Sequence, residues 1–159
     1  MKELRGSGAV AGCKFAIVVS RFNEAITRGL LAGARKRLAE AGVADDDLTV
    51  VHVPGAWEIP VVAQRLAETV SVDAIICLGC LIKGDTMHFE YIAEAVSQGI
   101  ARAAAATGVP MAFGVLTTLT EEQAVARSGD GEGNKGREAA DAAVEMATLF
   151  RLLDRESET

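Results

Sequence analysis

Four apolar runs rich in β-branched residues constrain the fold of this chain more than any other feature. They cover residues 14–20, 48–53, 73–82 and 110–118, and they read KFAIVVS, LTVVHV, DAIICLGCLI and PMAFGVLTT. None of them alternates strictly between apolar and polar residues, as a strand with one solvent-facing side would. The runs therefore predict strands that are covered on both faces, as in a parallel sheet.

Helical patterns separate these runs. The first places Ile26, Leu30, Ala34 and Leu38 on one stripe, and Gly42 is its stop signal. Comparable patterns cover residues 56–70, 87–108, 120–129 and 134–153. Regular alternation of strand and helix predicts an α/β fold, a three-layer sandwich in which a four-stranded parallel sheet has helices on both faces.

Length and composition favour one domain over residues 1–159. A chain of 159 residues, 50% of them hydrophobic, can bury one sizeable core. Within this domain we interpret residues 1–13 as an N-terminal arm and residues 154–159 as a polar tail that frays. The net charge of −6 and the aromatic content of 4% argue against a nucleic acid partner.

The chain also lacks the patterns of membrane and metal proteins. No apolar run reaches the roughly 18 to 20 residues of a bilayer span, and the N-terminal residues lack a signal-peptide core, so a cytoplasmic location without membrane contact is expected. Cys13, Cys77 and Cys80 fit neither a disulfide framework nor a pattern of metal ligands. We expect three buried thiols and no metal site.

Ligands of open parallel sheets bind beyond the carboxyl ends of the strands, so the four strand ends are the places to search. They read SRFN (20–23), PGAWEIP (54–60), KGDTMH (83–88) and TTLTEEQ (117–123). In the second, Trp57 and Glu58 could be a core aromatic and a helix-terminal acid, worth about 0.3 to 1 kcal/mol at that position. They could equally be a stacking ring beside a carboxylate that accepts hydrogen bonds from a ligand.

The junction after the third strand has two interpretations as well. Either Asp85 or Thr86 caps the following helix and His88 is an ordinary surface residue, or the junction binds an anion. For the second, Gly84 permits close backbone approach, and free N–H groups at the helix start attract negative charge. The charge of Asp85 opposes an anion unless its side chain points away.

Arg127, Lys135 and Arg137 flank a glycine-rich loop after the fourth strand. A charge-assisted contact between Arg127 and a phosphate would be worth about 1.5 to 3 kcal/mol. We do not expect this loop to reach the junction after the third strand within one subunit, but a neighbouring subunit could supply the arginine. No GxGxxG, GxxxxGK[ST], GxSxG or HExxH motif supports a dinucleotide, nucleoside triphosphate, serine hydrolase or zinc protease site.

Five segments together resemble the 6,7-dimethyl-8-ribityllumazine synthase family. They occur in order between about residues 14 and 150, and they read SRFN, PGAWEIPVVAQ, GCLIKGDTMHFEYIAEAVSQGI, PMAFGVLTTLTEEQAVARSG and GNKGREAADAAVEM. The resemblance implies a flavodoxin-like fold. It also implies condensation of 5-amino-6-(ribitylamino)pyrimidinedione with 3,4-dihydroxy-2-butanone 4-phosphate, releasing phosphate and water, without metal or organic cofactor.

The resemblance also implies roles for individual residues. Phe22 would stack on the pyrimidine, Glu58 would accept hydrogen bonds from ribityl hydroxyls, and His88 would transfer protons. The remaining substrate-binding residues that it implies are Ala56, Trp57, Cys80, Leu81, Ile82, Asp85 and Thr86, with Phe113, Arg127 and Lys135 from the adjacent subunit of a homopentamer. Asp85 stands where the family often has a small residue, and Trp57 where it often has Phe or Tyr.

The resemblance leaves two questions open. Pentamers could stay free, pair, or close into an icosahedral cage, because the loop SGDGEG keeps the family's length but adds the acids Asp130 and Glu132. The alternative function is a scaffold that binds a flavin or lumazine without turnover. Retention of Glu58, His88, Arg127 and Lys135 argues against that alternative.

Overall fold

The structure, a computed structural model, describes residues 1–159 and contains one sheet of four parallel strands. The strands are β1 (Phe15–Ser20), β2 (Leu48–Val53), β3 (Ala74–Ile82) and β4 (Met111–Thr118). Their order across the sheet is β2-β1-β3-β4, and every neighbouring pair is parallel. This result confirms the predicted fold class, and each strand begins within one residue of its predicted start.

Five α-helices connect and cover the strands. They are α1 (Glu24–Ala41), α2 (Ile59–Thr69), α3 (His88–Thr107), α4 (Glu121–Ala126) and α5 (Lys135–Ser157). Single 3-10 turns, Asp45–Asp47 and Ala56–Glu58, precede β2 and α2. None of the helices combines the length and the apolar character that a membrane crossing needs.

The central strands β1 and β3 are buried on both faces for most of their length, which explains why their sequences lack alternation. Phe15, Ile17 and Val19 of β1 pack in a core with α1 and α5, whereas Ala16 and Val18 pack in a second core with α2 and α3. All six residues of β1 are buried. Because neighbouring side chains of a strand point to opposite faces, every position of this strand is apolar except Ser20 at its end.

The helix-boundary predictions were confirmed at three ends. Gly42 and Gly108 end α1 and α3 in the left-handed conformation, with φ of 96° and 70°. The Thr120 side chain accepts a hydrogen bond from the Gln123 N–H and so caps α4. The stripe of Ile26, Leu30, Ala34 and Leu38 is buried, as predicted.

The prediction of a frayed tail was wrong. Helix α5 continues to Ser157, because the N-terminal arm lies along it and gives its last turns tertiary contacts. The side chain of Lys2 forms an ion pair with Glu156, and the Ser7 N–H donates to the Thr148 hydroxyl at 2.9 Å. A helix end that would fray alone is stabilised by such packing.

Arg151 fixes the end of the arm to the start of β3. Its guanidinium bonds to the Asp73 carboxylate at 3.2 Å and to the Gly12 carbonyl at 3.0 Å. The hydrogen bond to Asp73 raises the pKa of Arg151 above its usual value. This cluster lies at the amino ends of the strands, opposite the edge where a ligand is expected.

Helices α1 and α5 approach each other closely through glycines. A Cβ atom added to Gly136 would clash with the Leu30 carbonyl, and one added to Gly33 would clash with the Asn134 side chain. Asn134 caps α5 by accepting from the Arg137 N–H at 3.0 Å, and its amide donates to the Gly29 carbonyl at 2.9 Å. The close approach therefore sets where α5 begins.

The three cysteines are buried thiols, as predicted. Burial raises the pKa of Cys77 to about 12 and that of Cys80 to about 11. We expect no reaction of the native protein with a neutral-pH thiol reagent over hours, and three reactive thiols after unfolding in urea. A thiol titrated in the native state would contradict this placement.

The raised pKa of Cys77 also predicts a loss of stability at alkaline pH. The pKa of the folded state lies above the usual thiol value of 9.0, so the stabilisation is complete below about pH 9 and declines as the pH rises towards about 12. Each unit within that window should cost about 1.4 kcal/mol in the free energy of unfolding for this one group. Urea denaturation between pH 8 and 10 measures the slope, which should be shallower in Cys77→Ala.

Candidate active site

A cavity of about 740 Å³ opens at the carboxyl edge of the sheet, within the size range of small-molecule sites. Its walls come from the junctions after β1, β2 and β3 and from the first turns of α3. The 16 lining residues are Phe22, Asn23, Pro54, Gly55, Ala56, Trp57, Glu58, Cys80, Leu81, Ile82, Gly84, Thr86, His88, Phe89, Tyr91 and Ile92.

Three aromatic side chains in this cavity are largely exposed. Phe22 is 70% exposed, Tyr91 is 68% exposed and Trp57 is 62% exposed, so the interpretation of Trp57 as a core residue was wrong. The Phe22 N–H donates to the Pro54 carbonyl at 3.0 Å, and the Arg21 N–H donates to the Val53 carbonyl at 2.8 Å. These bonds extend the pairing of β1 with β2 and hold Phe22 beside the second junction. Exposed rings at fixed backbone positions suit stacking on a planar ligand.

Glu58 lies in the same cavity with an unengaged carboxylate. It ends the 3-10 turn and immediately precedes α2, yet its side chain makes no capping hydrogen bond. It also takes part in none of the eight salt bridges. The capacity of its oxygen atoms to accept hydrogen bonds is therefore available to a ligand.

The end of β3 brings Cys80, Leu81 and Ile82 to the cavity. Pairing of β1 with β3 ends at Val19 and Leu78, whereas β3 continues to Ile82. The Cys80 side chain belongs to the buried core on the α1 and α5 side, and the residue is only 1% exposed. Beyond Leu78 the peptide groups of β3 have no strand partner on the β1 side, so they can bond to other groups.

The turn between β3 and α3 contributes Gly84, Thr86 and His88 to the cavity, but not Asp85. Helix α3 begins at His88, with Met87 at the N-cap and no side-chain capping bond. The Thr86 hydroxyl accepts from the His88 N–H at 3.4 Å, while Asp85 is exposed and bonds to no backbone N–H. The interpretation of Asp85 as a helix cap was therefore wrong.

Lys83 and Glu90 flank this turn. Their side chains form an ion pair at 3.5 Å between Nζ and Oε1, and the Lys83 N–H donates to the Thr118 carbonyl at 2.9 Å. The turn is thus tied to β4 at one end and to the first turns of α3 at the other. The turn that is the candidate anion-binding site is therefore anchored at both ends.

Phe113, Arg127 and Lys135 line a different cavity, of about 370 Å³, between β4 and α5. The Lys135 N–H donates to the Arg127 carbonyl at 2.9 Å, which closes the glycine-rich loop and brings both cations to one place. The Arg127 guanidinium bonds to the Gln123 carbonyl at 2.9 Å, but no carboxylate pairs with it. Its charge remains available to an anion.

Arg137 is not available in the same way. Its guanidinium pairs with the Glu40 carboxylate at 2.8 Å and does not line the cavity. Their hydrogen bond lowers the pKa of Glu40 and raises that of Arg137. Lys135 is engaged as well, because its Nζ atom pairs with the Glu138 carboxylate at 2.7 Å. Of the three cations that flank the loop, Arg127 is therefore the one that can receive an anion without breaking a salt bridge.

The two cavities share no lining residue. The predicted site residues therefore fall into two groups in one chain, with Asp85 in neither. No three side chains of His, Cys, Asp or Glu are grouped as a metal site would need. Asn23, Phe89, Tyr91 and Ile92 were not predicted, although Tyr91 and Ile92 follow His88 at helical spacing and could have been found from it.

Comparison with known proteins agrees with the resemblance of the motifs. The sequence model of 6,7-dimethyl-8-ribityllumazine synthase matches residues 12–151 of the chain. A protein named 6,7-dimethyl-8-ribityllumazine synthase from Salinibacter ruber (strain DSM 13855 / M31) is 52% identical over 152 residues, which are 96% of this chain and 97% of that protein. The chain therefore belongs to the 6,7-dimethyl-8-ribityllumazine synthase family.

Proposed function

We propose that this enzyme condenses its two substrates where the 740 Å³ cavity of one subunit meets the 370 Å³ cavity of the next. The reaction joins 5-amino-6-(ribitylamino)pyrimidinedione to 3,4-dihydroxy-2-butanone 4-phosphate and forms 6,7-dimethyl-8-ribityllumazine, with release of phosphate and water. The observation that carries the proposal is the separation of complementary groups. The aromatic rings and Glu58 line one cavity, whereas the unpaired Arg127 lines the other.

The pyrimidine substrate belongs in the larger cavity. Phe22 stacks on its ring, and the backbone at Cys80, Leu81 and Ile82 bonds to its polar edge. Glu58 accepts hydrogen bonds from the ribityl hydroxyls, beside Ala56 and Trp57. The exposed ring of Phe22, the unengaged carboxylate of Glu58 and the unpartnered end of β3 support these roles.

The phosphate substrate belongs at the turn after β3. Backbone N–H groups of Asp85 and Thr86 bind the phosphate, and Arg127 of the adjacent subunit neutralises its charge. Lys135 and Phe113 close the site from the same neighbour. Because the Asp85 side chain does not line the cavity, its charge need not oppose the phosphate.

His88 transfers protons in this scheme. The amine of the pyrimidine forms an imine with the ketone and releases water, and elimination of phosphate then leaves an enol that becomes a new ketone. The ribityl-bearing nitrogen attacks this ketone, and ring closure releases a second water together with the proton of that nitrogen. Imidazole takes up and releases protons readily near neutral pH. Correct orientation of two substrates can supply about 7 to 11 kcal/mol, whereas one general acid or base contributes roughly 10²- to 10⁴-fold. Orientation is therefore the larger effect, and none of these steps requires a metal or an organic cofactor.

Exposed apolar side chains support assembly of this chain into an oligomer. Phe22, Trp57 and Tyr91 are exposed around the larger cavity, while Phe113 is exposed at the smaller one. Monomeric proteins seldom expose such groups together. Two different surfaces that cover each other make a head-to-tail interface, and such interfaces form a ring where the rotation between subunits closes. We extend this proposal to the homopentamer that the family resemblance implies, and to pentamers that are able to assemble into an icosahedral cage.

Mixing the protein with both substrates tests the catalytic proposal directly. We expect fluorescent lumazine to form well above the spontaneous rate, and His88→Ala to retain measurable turnover at roughly 10²-fold lower kcat. A scaffold without turnover would bind the lumazine and quench the single tryptophan, Trp57, yet leave the spontaneous rate unchanged. That outcome would refute the enzyme and support the scaffold.

A further inference from the structure

Asn23 is the only residue other than glycine with a positive φ angle in the structure. Its φ of 60° and ψ of 51° place it in the left-handed helical region at the start of α1. Side chains with a Cβ atom are disfavoured there, and asparagine is among the few that tolerate it. Residues held in such conformations are often found where a site needs them.

The backbone of Asn23 redirects the chain between two anchored segments. On one side, the Phe22 N–H donates to the Pro54 carbonyl at 3.0 Å. On the other, the Asn23 carbonyl accepts from the Ile26 N–H at 3.0 Å and from the Thr27 N–H at 3.1 Å, which begins α1. The left-handed turn between them therefore determines where Phe22 lies in the cavity.

The side chain of Asn23 makes a separate connection. Its Nδ2 atom donates to the Cys80 carbonyl at 3.1 Å. That carbonyl lies beyond Leu78, the last residue of β3 that pairs with β1. The carboxamide thus replaces the missing strand partner at the point where β3 enters the cavity.

We propose that Asn23 is a positioning residue for the pyrimidine substrate. One residue fixes both surfaces that this planar molecule must fit between, the aromatic ring of Phe22 and the backbone edge at Cys80 to Ile82. The inference rests on the proposed function, in which these two surfaces bind the pyrimidine. In this scheme Asn23 does not contact the turn at Gly84 to Thr86. Substitution of Asn23 should therefore leave the KM for the phosphate substrate unchanged.

Two substitutions keep the left-handed backbone and change only the side chain. Asn23→Gly keeps the left-handed conformation without strain and removes only the hydrogen bond to Cys80. Asn23→Asp keeps the size and tolerates the conformation, but sets a carboxylate oxygen against the Cys80 carbonyl. We expect the KM for the pyrimidine to rise roughly threefold to tenfold in the first and roughly tenfold to a hundredfold in the second. The KM for the butanone phosphate should change less than about twofold in both.

A structural control completes the test. Arg151→Gln weakens the cluster at the opposite edge of the sheet, so it should lower the Tm and leave both KM values unchanged. Titration of Trp57 fluorescence with the pyrimidine alone should show the same loss of affinity in Asn23→Gly as the kinetics. The positioning role is refuted if the wild type is active and Asn23→Gly either keeps the KM for the pyrimidine or raises both KM values equally. A wild type without turnover instead overturns the proposed function, and the fluorescence titration still decides for or against Asn23.

Discussion

Replacement of Arg127 by alanine should raise the KM for 3,4-dihydroxy-2-butanone 4-phosphate about tenfold to a hundredfold. The estimate follows from the loss of one charge-assisted contact, worth about 1.5 to 3 kcal/mol. Arg127 has no carboxylate partner in the chain, so no salt bridge competes for its charge in the wild type. Steady-state kinetics with each substrate varied in turn measures the effect.

The response to Arg127→Ala should be specific to the phosphate substrate. The KM for the pyrimidine should change less than about twofold, because the contacts proposed for it lie in the other cavity. Arg155→Ala, in the last turn of α5, is a matched control that removes the same charge without affecting either KM. An unchanged KM for the butanone phosphate in Arg127→Ala would refute the proposed phosphate contact.

Mixed oligomers test whether Arg127 acts across a subunit boundary. Glu58→Ala damages the larger cavity and Arg127→Ala damages the smaller one. At a butanone phosphate concentration well below the KM of Arg127→Ala, each variant alone should therefore have little activity. In rings assembled randomly from equal amounts of both, about one quarter of the sites combine an intact Glu58 with an intact Arg127. Co-expression of the two variants should therefore recover about a quarter of the wild-type rate. If each site lay within one chain, no activity would return.

The sequence predicted the sheet well because burial on both faces leaves a readable signal. A strand such as β1 has every residue buried, so its apolar run coincides with its boundaries. The frayed tail was predicted wrongly because the end of α5 depends on a distant contact. Asp85 as a helix cap, one of the alternatives left open, was wrong because α3 begins only three residues after it. The arm at Lys2 stabilises the end of α5, and the chain turns into α3 only at His88, after Asp85 has passed the cavity.

The site was predicted in part for a related reason. Residues at strand ends could be named from the topology, since parallel strands place their carboxyl ends at one edge. The separation of the site residues into two cavities could not be predicted from the sequence, because it depends on how β4 and α5 lie relative to β3. The left-handed conformation of Asn23 could not be predicted from the sequence either. Its φ angle is set by the backbone hydrogen bonds to Pro54 and Ile26 on its two sides rather than by the residue type alone.

Gly136→Ala should lower the free energy of unfolding by about 3 kcal/mol, at the upper end of the cost of overpacking. The added Cβ atom would clash with the carbonyl of Leu30 in α1. A flexible side chain could move aside, but a backbone carbonyl inside a helix cannot move without displacing the helix. Alanine's better helix propensity returns only about 1 kcal/mol, so the clash dominates.

Thermal unfolding at one fixed protein concentration measures this cost, since the stability of an oligomer depends on concentration. A loss of about 3 kcal/mol corresponds to a fall in Tm of about 6 to 12 °C for a chain of this length. Gly133→Ala is the matched control, because its added Cβ atom would meet no atom within 4 Å and its φ angle is not positive. We expect that control to keep or slightly raise the Tm. If the two variants unfolded at the same temperature, α1 and α5 would not approach as closely as Gly136 requires, and the position of Lys135 beside Arg127 would lose its structural basis.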